Sequence, residues 1–282
     1  MRTILVPTDF SPQAEYALNA AQQLAQTLKA SIHLVYVLEF PMTDEEAPVI
    51  HVEVLPVTYL RKIKQESQER LLQFMEKGKK TDIPITSEVR VGNPYRSIVR
   101  ALLEKEADLV VMGSKGVSGT QEILIGSNAE RMVRLSPCPV LIIKDKADFS
   151  RIENIVYATS LRNEESTVIK VLGKLQHAYG AQLHVVRVNT LSNFLDDPLV
   201  RKQLRAFAKN HHLKNYTLST FSDIGEEEGI IHFADEVGAD LIAMSTHGRR
   251  GLRHLLEGSV AEDVVNHTKL PVWTMVLRTS TK

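Results

Sequence analysis

The sequence repeats itself once, and this internal repeat constrains the fold more than any other feature of the chain. Residues 30–37, Ala-Ser-Ile-His-Leu-Val-Tyr-Val, return at 181–188 as Ala-Gln-Leu-His-Val-Val-Arg-Val, and Ala107–Met112 returns as Ala239–Met244. The offset between the copies is 151 residues early and 132 residues later, so the second copy lacks 19 residues of the first. A period this long, seen only twice, indicates duplicated domains rather than a solenoid.

Length and composition favour a two-domain globular protein of the cytoplasm. The 282 residues are enough for two cores, and 34 basic residues balance 34 acidic ones, which disfavours nucleic acid as a partner. The apolar runs are no longer than five residues, and the chain starts without the pattern of a signal peptide, so we expect no membrane segment. The single cysteine cannot form an internal disulfide, as is typical of a reducing compartment.

Short apolar runs alternate with segments of helical periodicity in each copy. In the first copy the predicted strands are Thr3–Pro7, Ile32–Leu38, Ile85–Val91, Asp108–Met112 and Val140–Lys144. Helices are predicted between them, and the pairs Ser11-Pro12 and Asn93-Pro94 are typical helix starts. This alternation predicts an α/β fold with a parallel sheet covered on both faces, repeated from Ile152 to Leu277.

The domain boundary is predicted at a short polar link, Asp145–Ser150. We therefore place the first domain at residues 1–146 and the second at residues 151–282. The apolar segments on either side of the link belong to the last strand of one copy and the first strand of the next, so each domain keeps a complete set of elements.

A glycine loop follows the predicted strand Asp108–Met112. It runs Gly113-Ser-Lys-Gly116, then nine residues, then Gly126-Ser127, where a helix is predicted to begin. Gly113 allows a ligand to approach the backbone, so a side chain there should block the ligand and leave the fold intact. Backbone N–H groups at the helix start favour an anion. Isolated glycines of this kind are more often ordinary turn residues, and Lys115 is more often solvated than bound to phosphate.

Pro7-Thr8-Asp9 closes the first strand. In a doubly wound sheet a ligand sits where the strand order reverses, at the carboxyl ends of two neighbouring strands. A nucleotide there would contact Asp9 with its nucleoside and the glycine loop with its phosphates. The alternative is that Asp9 only stabilises the start of the following helix.

Three segments carry a resemblance to a known family. Ile4-Leu-Val-Pro-Thr-Asp-Phe-Ser11, Val110-Val-Met-Gly-Ser-Lys-Gly116 and Gly126-Ser-Asn-Ala-Glu-Arg131 resemble the universal stress protein family, and the resemblance covers the chain twice. The glycine spacing with an upstream aspartate resembles the family's ATP-binding branch. The resemblance implies two tandem Rossmann-like domains of the adenine nucleotide alpha hydrolase type. Each domain would have a five-stranded parallel sheet of order 3-2-1-4-5, and the last strands of the copies would pair within the chain.

The resemblance also implies a ligand and its contacts. The ligand is ATP, with ADP, AMP or cyclic AMP as alternatives and Mg accompanying the phosphates. The implied site consists of Pro7, Thr8, Asp9, Val37, Met112, Gly113, Lys115, Gly116, Gly126, Ser127 and Asn128. Asp9 and the Val37 backbone would recognise adenosine, and the glycines, Ser127 and Asn128 would hold ribose and phosphates. The rival functions are a slow ATPase or nucleotidyl transferase, and an interaction scaffold without nucleotide; a homodimer is a further option.

The second copy departs from this pattern. Ser160 replaces Asp9 and Ser245 replaces Gly113, although Gly248, Gly258 and Ser259 keep the spacing. The second copy is therefore predicted to be a weak or lost site. Restoring both residues, by Ser160→Asp with Ser245→Gly, should rebuild it.

Overall fold

The computed structural model describes the chain in six stretches, which are residues 1–39, 57–78, 82–114, 125–161, 163–246 and 260–277. The elements of the first copy are β1 Thr3–Thr8, α1 Pro12–Leu28, β2 Ser31–Leu38, α2 Val57–Gly78, β3 Ile85–Val91, α3 Pro94–Glu104, β4 Leu109–Gly113, α4 Ser127–Leu135 and β5 Val140–Ile143. All five strands expected from the sequence are present, each within two residues of its predicted ends.

The second copy repeats this order. Its elements are β6 Asn154–Ala158, α5 Ser166–Tyr179, β7 Gln182–Asn189, α6 Asp197–Asn210, β8 Tyr216–Ser222, α7 Glu226–Glu236, β9 Leu241–Thr246, α8 Val260–His267 and β10 Val272–Val276. A short 3-10 turn, Asn163–Glu165, precedes α5. Helix α6 is 14 residues long where α2 has 22, so part of the deletion inferred from the offsets falls on this helix.

All ten strands form one continuous sheet of order β3-β2-β1-β4-β5-β10-β9-β6-β7-β8. Pairing is parallel throughout each copy, and both copies have the order 3-2-1-4-5, as the resemblance implied. The interiors of the eight inner strands are buried on both faces because helices cover the sheet on each side, whereas the edge strands β3 and β8 are only partly buried. One apolar cluster contains residues of α1, α2, α5 and α6, and a second contains residues of α3, α4, α7 and α8.

The two copies join where β5 pairs antiparallel with β10. Val140 lies opposite Thr274, and Leu141 lies opposite Trp273. Around this seam the Thr246 hydroxyl donates to the Val133 carbonyl at 3.2 Å. Pairing of the last strands within one chain is thus confirmed, and the chain forms its own pseudo-dimer.

The link between the copies is anchored by an apolar residue. Phe149 is 1% exposed and belongs to the core cluster beside helix α1. Its carbonyl accepts from the Tyr179 hydroxyl at 2.7 Å, and its N–H donates to the Gln23 side chain. The polar composition of the link did not indicate this anchoring. Helices α1 and α5, which carry Gln23 and Tyr179, pack directly against each other.

Thr274 offers a test of the packing at the seam. Its side chain is fully buried, and its hydroxyl has no hydrogen-bond partner within the described residues. Thr274→Val keeps the shape and removes an unsatisfied polar group, so we expect the free energy of unfolding to rise by about 1 kcal/mol. The matched control is Thr246→Val, which removes a hydroxyl that does have an acceptor and should lower stability by about 1 kcal/mol. Urea denaturation of both variants measures the difference, and equal effects would contradict this view of the seam.

Candidate nucleotide-binding site

The predicted site lies at one edge of the sheet, where three strands of the first copy end. Strand β1 pairs in parallel with β4 on one side and with β2 on the other. Parallel strands end at the same edge, so Asp9, Val37 and Gly113 all lie at or near the carboxyl edge. The chain order reverses between β1 and β4, and this is the position where doubly wound sheets bind ligands.

The turn after β1 is fixed by short-range hydrogen bonds. The Thr8 hydroxyl accepts from the Phe10 N–H at 3.1 Å, and Phe10 has a φ of 66°. This left-handed conformation is unusual for a residue with a side chain. The second copy has the same turn, in which the Thr159 hydroxyl accepts from the Leu161 N–H at 2.8 Å and Leu161 has a φ of 61°. The duplication kept this turn in both halves.

Asp9 is bound to the start of helix α1. Its Oδ1 atom accepts from the Ser11 N–H at 3.0 Å and from the Ser11 hydroxyl at 2.6 Å. The Ser11 Oγ in turn accepts from the Ala14 N–H at 3.2 Å and caps the helix. The structure therefore shows the alternative role of Asp9, the stabilisation of the helix start. Recognition of adenosine by the same half-buried carboxylate stays a prediction.

Gly113 has a packing role that the sequence did not indicate. A Cβ atom at this position would lie 2.8 Å from the Gln13 Cβ and 2.9 Å from the Gln13 carbonyl carbon. The first turn of α1 therefore fills the space beside Gly113, and the glycine allows helix and strand to approach closely. The expectation that a side chain here leaves the fold intact is wrong, because the new atom would meet the backbone of α1.

The ends of the glycine loop meet at Ser114. This buried residue donates its N–H to the Ile143 carbonyl at 3.0 Å and accepts from the Gly126 N–H at 2.7 Å. The bond from Gly126 places the start of α4 beside the end of β4. Residues 115–124, which include the predicted contacts Lys115 and Gly116, lie outside the described residues.

The start of helix α4 has no side-chain cap. Gly126 is the N-cap residue, and the first intrahelical bond runs from the Glu130 N–H to the Gly126 carbonyl at 2.9 Å. The preceding N–H groups, those of Ser127, Asn128 and Ala129, have no acceptor within the helix by the geometry of its first turn. Ser127 is exposed and Asn128 is half-buried. This end of the helix carries the positive end of its dipole and favours an anion.

The remaining predicted residues differ in how accessible they are. Met112 is only 6% exposed and lies in a core cluster, and Pro7 is buried within β1. Neither side chain can contribute more than the wall of a site. Val37 is half-buried near the end of β2. Thr8 is buried as well, so the described residues of the predicted set whose side chains are accessible are Asp9, Val37, Ser127 and Asn128, and Gly113 and Gly126 are half-buried.

The corresponding edge of the second copy contains a residue that we did not single out from the sequence. Glu165 is fully buried, and its carboxylate accepts from the hydroxyls of Thr159 and Ser160 at this strand end. At the offset of 151 residues it takes the place of Ala14. An acidic residue aligned with a buried alanine was the signal that could have revealed it. The predicted positions Gly248, Gly258 and Ser259 lie outside the described residues.

A model of the universal stress protein family matches residues 1–144 and again residues 151–275. The chain belongs to the universal stress protein family. Universal stress protein MJ0531 of Methanocaldococcus jannaschii is 31% identical over 147 residues, which cover 51% of this chain and 82% of the relative. Universal stress protein Slr1230 of Synechocystis is 23% identical over 294 residues, which cover 97% of this chain and 99% of the relative. The match to this relative thus includes both copies of the chain.

Solved structures show the same tandem fold. A universal stress protein from Archaeoglobus fulgidus superposes with a TM-score of 0.70 at 20% identity, over 98% of this chain and 96% of that one. A structure of a Pseudomonas aeruginosa protein, described as a putative universal stress protein, gives a TM-score of 0.65 at 18% identity, over 98% and 93% of the two chains. No helix in the described stretches of this universal stress protein is long and apolar enough to cross a membrane.

Proposed function

We propose that this universal stress protein binds ATP at the first copy and acts as a regulator in the stress response. The observation that carries the proposal is the start of helix α4, which has no side-chain cap and is held at the carboxyl edge of the sheet by the Gly126–Ser114 hydrogen bond. A helix start aimed at the position where the strand order reverses has the donors and the dipole that phosphates require.

The phosphates would lie against the N–H groups of Ser127 and Asn128, with the Ser127 hydroxyl as a further donor. Two other helix starts of the first copy are closed in a different way. Ser11 caps α1, and the Asn93 side chain accepts from the Arg96 N–H at 3.1 Å and caps α3. The start of α4 is thus suited to an external anion, whereas those of α1 and α3 are satisfied internally. Mg would accompany the phosphates.

The nucleoside would lie across the ends of β1 and β2. Asp9 provides a carboxylate acceptor at the end of β1, and Val37 provides a half-buried apolar surface and backbone groups near the end of β2. The left-handed turn at Phe10 positions Asp9 at this edge, and residues held in such conformations cluster at functional sites. These features suit ATP, ADP and AMP equally in the nucleoside part, and the helix start favours the ligands with more phosphates.

We expect one ATP per chain, because only the first copy keeps an acidic residue at the end of its first strand. Isothermal titration of the purified chain measures the stoichiometry. Ser127→Glu should weaken ATP binding at least about tenfold, because the new carboxylate would repel the phosphates at close range. An acidic residue in the first helical turn suits the dipole, so the variant should be at least as stable as the wild type.

The matched control is Ser127→Gln, whose side chain has the size of glutamate without the charge. Its affinity for ATP should lie within about threefold of that of Ser127→Ala, which removes only the hydroxyl. Wild-type affinity in Ser127→Glu would place the phosphates elsewhere. If the wild-type chain bound no ATP, an interaction scaffold without nucleotide would be the better description of its function. Two equivalent ATP sites would contradict the prediction that only the first copy binds.

A further inference from the structure

Glu165 is a buried carboxylate at the end of strand β6 in the second copy. Its side chain is fully buried. The Tyr157 hydroxyl donates to its Oε2 at 2.8 Å, the Thr159 hydroxyl donates to the same atom at 2.6 Å, and the Ser160 hydroxyl donates to its Oε1 at 3.1 Å. A carboxylate removed from water is very costly unless hydrogen bonds replace its hydration. Three hydroxyl donors make that replacement here.

Two of the three donors are specific to the second copy, whereas Thr159 corresponds to Thr8. At the offset of 151 residues Tyr157 takes the place of Val6 and Ser160 takes the place of Asp9. Burial and the neighbouring Glu165 carboxylate raise the pKa of Tyr157 well above its usual range, so its hydroxyl stays protonated and donates. The Ser245 side chain, at the position of Gly113, opposes this rise in the pKa of Tyr157. The substituted residues Tyr157, Ser160 and Glu165 thus belong to one hydrogen-bond network.

The two copies therefore place their carboxylates differently. In the first copy the carboxylate belongs to Asp9 at the strand end, is half-buried, and binds the helix start through Ser11. In the second copy the carboxylate belongs to Glu165 in the 3-10 turn before α5, and reaches back to the strand end from inside the fold. The Ser160 hydroxyl, which marks the position of Asp9, is directed toward this internal carboxylate.

We infer that Glu165 excludes an acidic residue from position 160. It thereby prevents the second copy from forming a nucleotide site like that of the first. The nature of the ligand in this inference rests on the proposed function. The exclusion of an acidic residue by Glu165 does not. Ser160 is itself exposed, and its hydroxyl lies 3.1 Å from Oε1 of the buried Glu165. Ser160→Asp would place a second carboxylate beside the first, where the two like charges repel. The expectation that Ser160→Asp with Ser245→Gly rebuilds a site is therefore revised, because Glu165 opposes it.

A comparison of melting temperatures at neutral pH tests this. Ser160→Asp should melt about 2 °C or more below Ser160→Asn, which has the same shape without the charge. In the Glu165→Gln background the difference between the same two substitutions should shrink to about 1 °C or less. If Ser160→Asp fails to fold while Ser160→Asn folds, the destabilisation is larger than expected and still supports the inference. Equal stability of the two single variants would overturn the inference.

Nucleotide titration adds a second measurement. Ser160→Asp with Ser245→Gly, in a chain that keeps Glu165, should bind the same number of ATP molecules as the wild type. An additional site in that variant would overturn the inference. If the wild-type chain binds no ATP, the proposed function fails, while the comparison of Ser160→Asp with Ser160→Asn still decides whether Glu165 excludes an acidic residue.

Discussion

Trp273→Ala is expected to lower the free energy of unfolding by about 3–5 kcal/mol, the largest effect among the substitutions considered. Trp273 is fully buried in β10, directly opposite Leu141 of β5, so its ring fills the core at the seam between the copies. Removal of the ring leaves a cavity that two paired strands cannot close without losing their register. Urea denaturation followed by circular dichroism measures the loss.

Two variants control for this result. Trp273→Phe keeps a ring and removes an indole N–H that has no partner within the described residues, so it should cost less than half as much as Trp273→Ala. Leu191→Ala truncates an apolar side chain that is 97% exposed and should change stability by no more than about 0.5 kcal/mol. A loss below about 1 kcal/mol in Trp273→Ala would show that the seam is not a tightly packed core.

The wild-type chain provides a further readout because Trp273 is its single tryptophan. Its fluorescence reports the seam, whereas circular dichroism reports both copies. Coincident transitions by the two probes would indicate that the halves unfold together.

Gly113→Ala is expected to lower the free energy of unfolding by about 2 kcal/mol. The added Cβ would lie 2.8 Å from the Cβ of Gln13 and 2.9 Å from its carbonyl carbon, and neither the helix backbone nor the strand can move without disturbing the core. Thermal unfolding measures the loss, and ATP titration of the same variant shows whether binding falls with it.

Gly173→Ala is the matched control. Gly173 lies within helix α5, and a Cβ there would have no atom within 4 Å. Alanine has the higher helix propensity, so this variant should gain about 0.5–1 kcal/mol. If Gly113→Ala proved as stable as the wild type while it lost ATP, the glycine would serve the ligand and not the packing of α1.

The sequence predicted the elements of this fold well because each carries its own local signal. Ile85–Val91 was predicted with the bounds that β3 has in the structure. The spacing of apolar residues is that of a helix before and after this segment and that of a strand within it. Ser11 and Asn93 were recognised as helix starts because a short polar side chain followed by proline specifies that geometry locally. The antiparallel seam has no such local signal, and only the family resemblance predicted it.

The parts of the site that the sequence did not predict depend on which side chains meet in space. The contact between Gly113 and Gln13 joins residues 100 positions apart, and no pattern within either segment indicates it. Glu165 lies only five residues after Ser160, yet the direction of its side chain depends on the 3-10 turn, which replaces the first helical turn of the other copy. Such directions follow from the packed fold rather than from hydrophobic periodicity.

The seam between β5 and β10 has a consequence for how the two halves can diverge. In a dimer of identical subunits with such a seam, every substitution appears twice, so a change that closes one site closes both. Here the covalent link keeps the partner strand at a high effective concentration, and pairing does not depend on the amount of protein. One half can therefore accumulate a network such as that around Glu165 and serve as a permanent structural partner, while the other half keeps the features of a binding site.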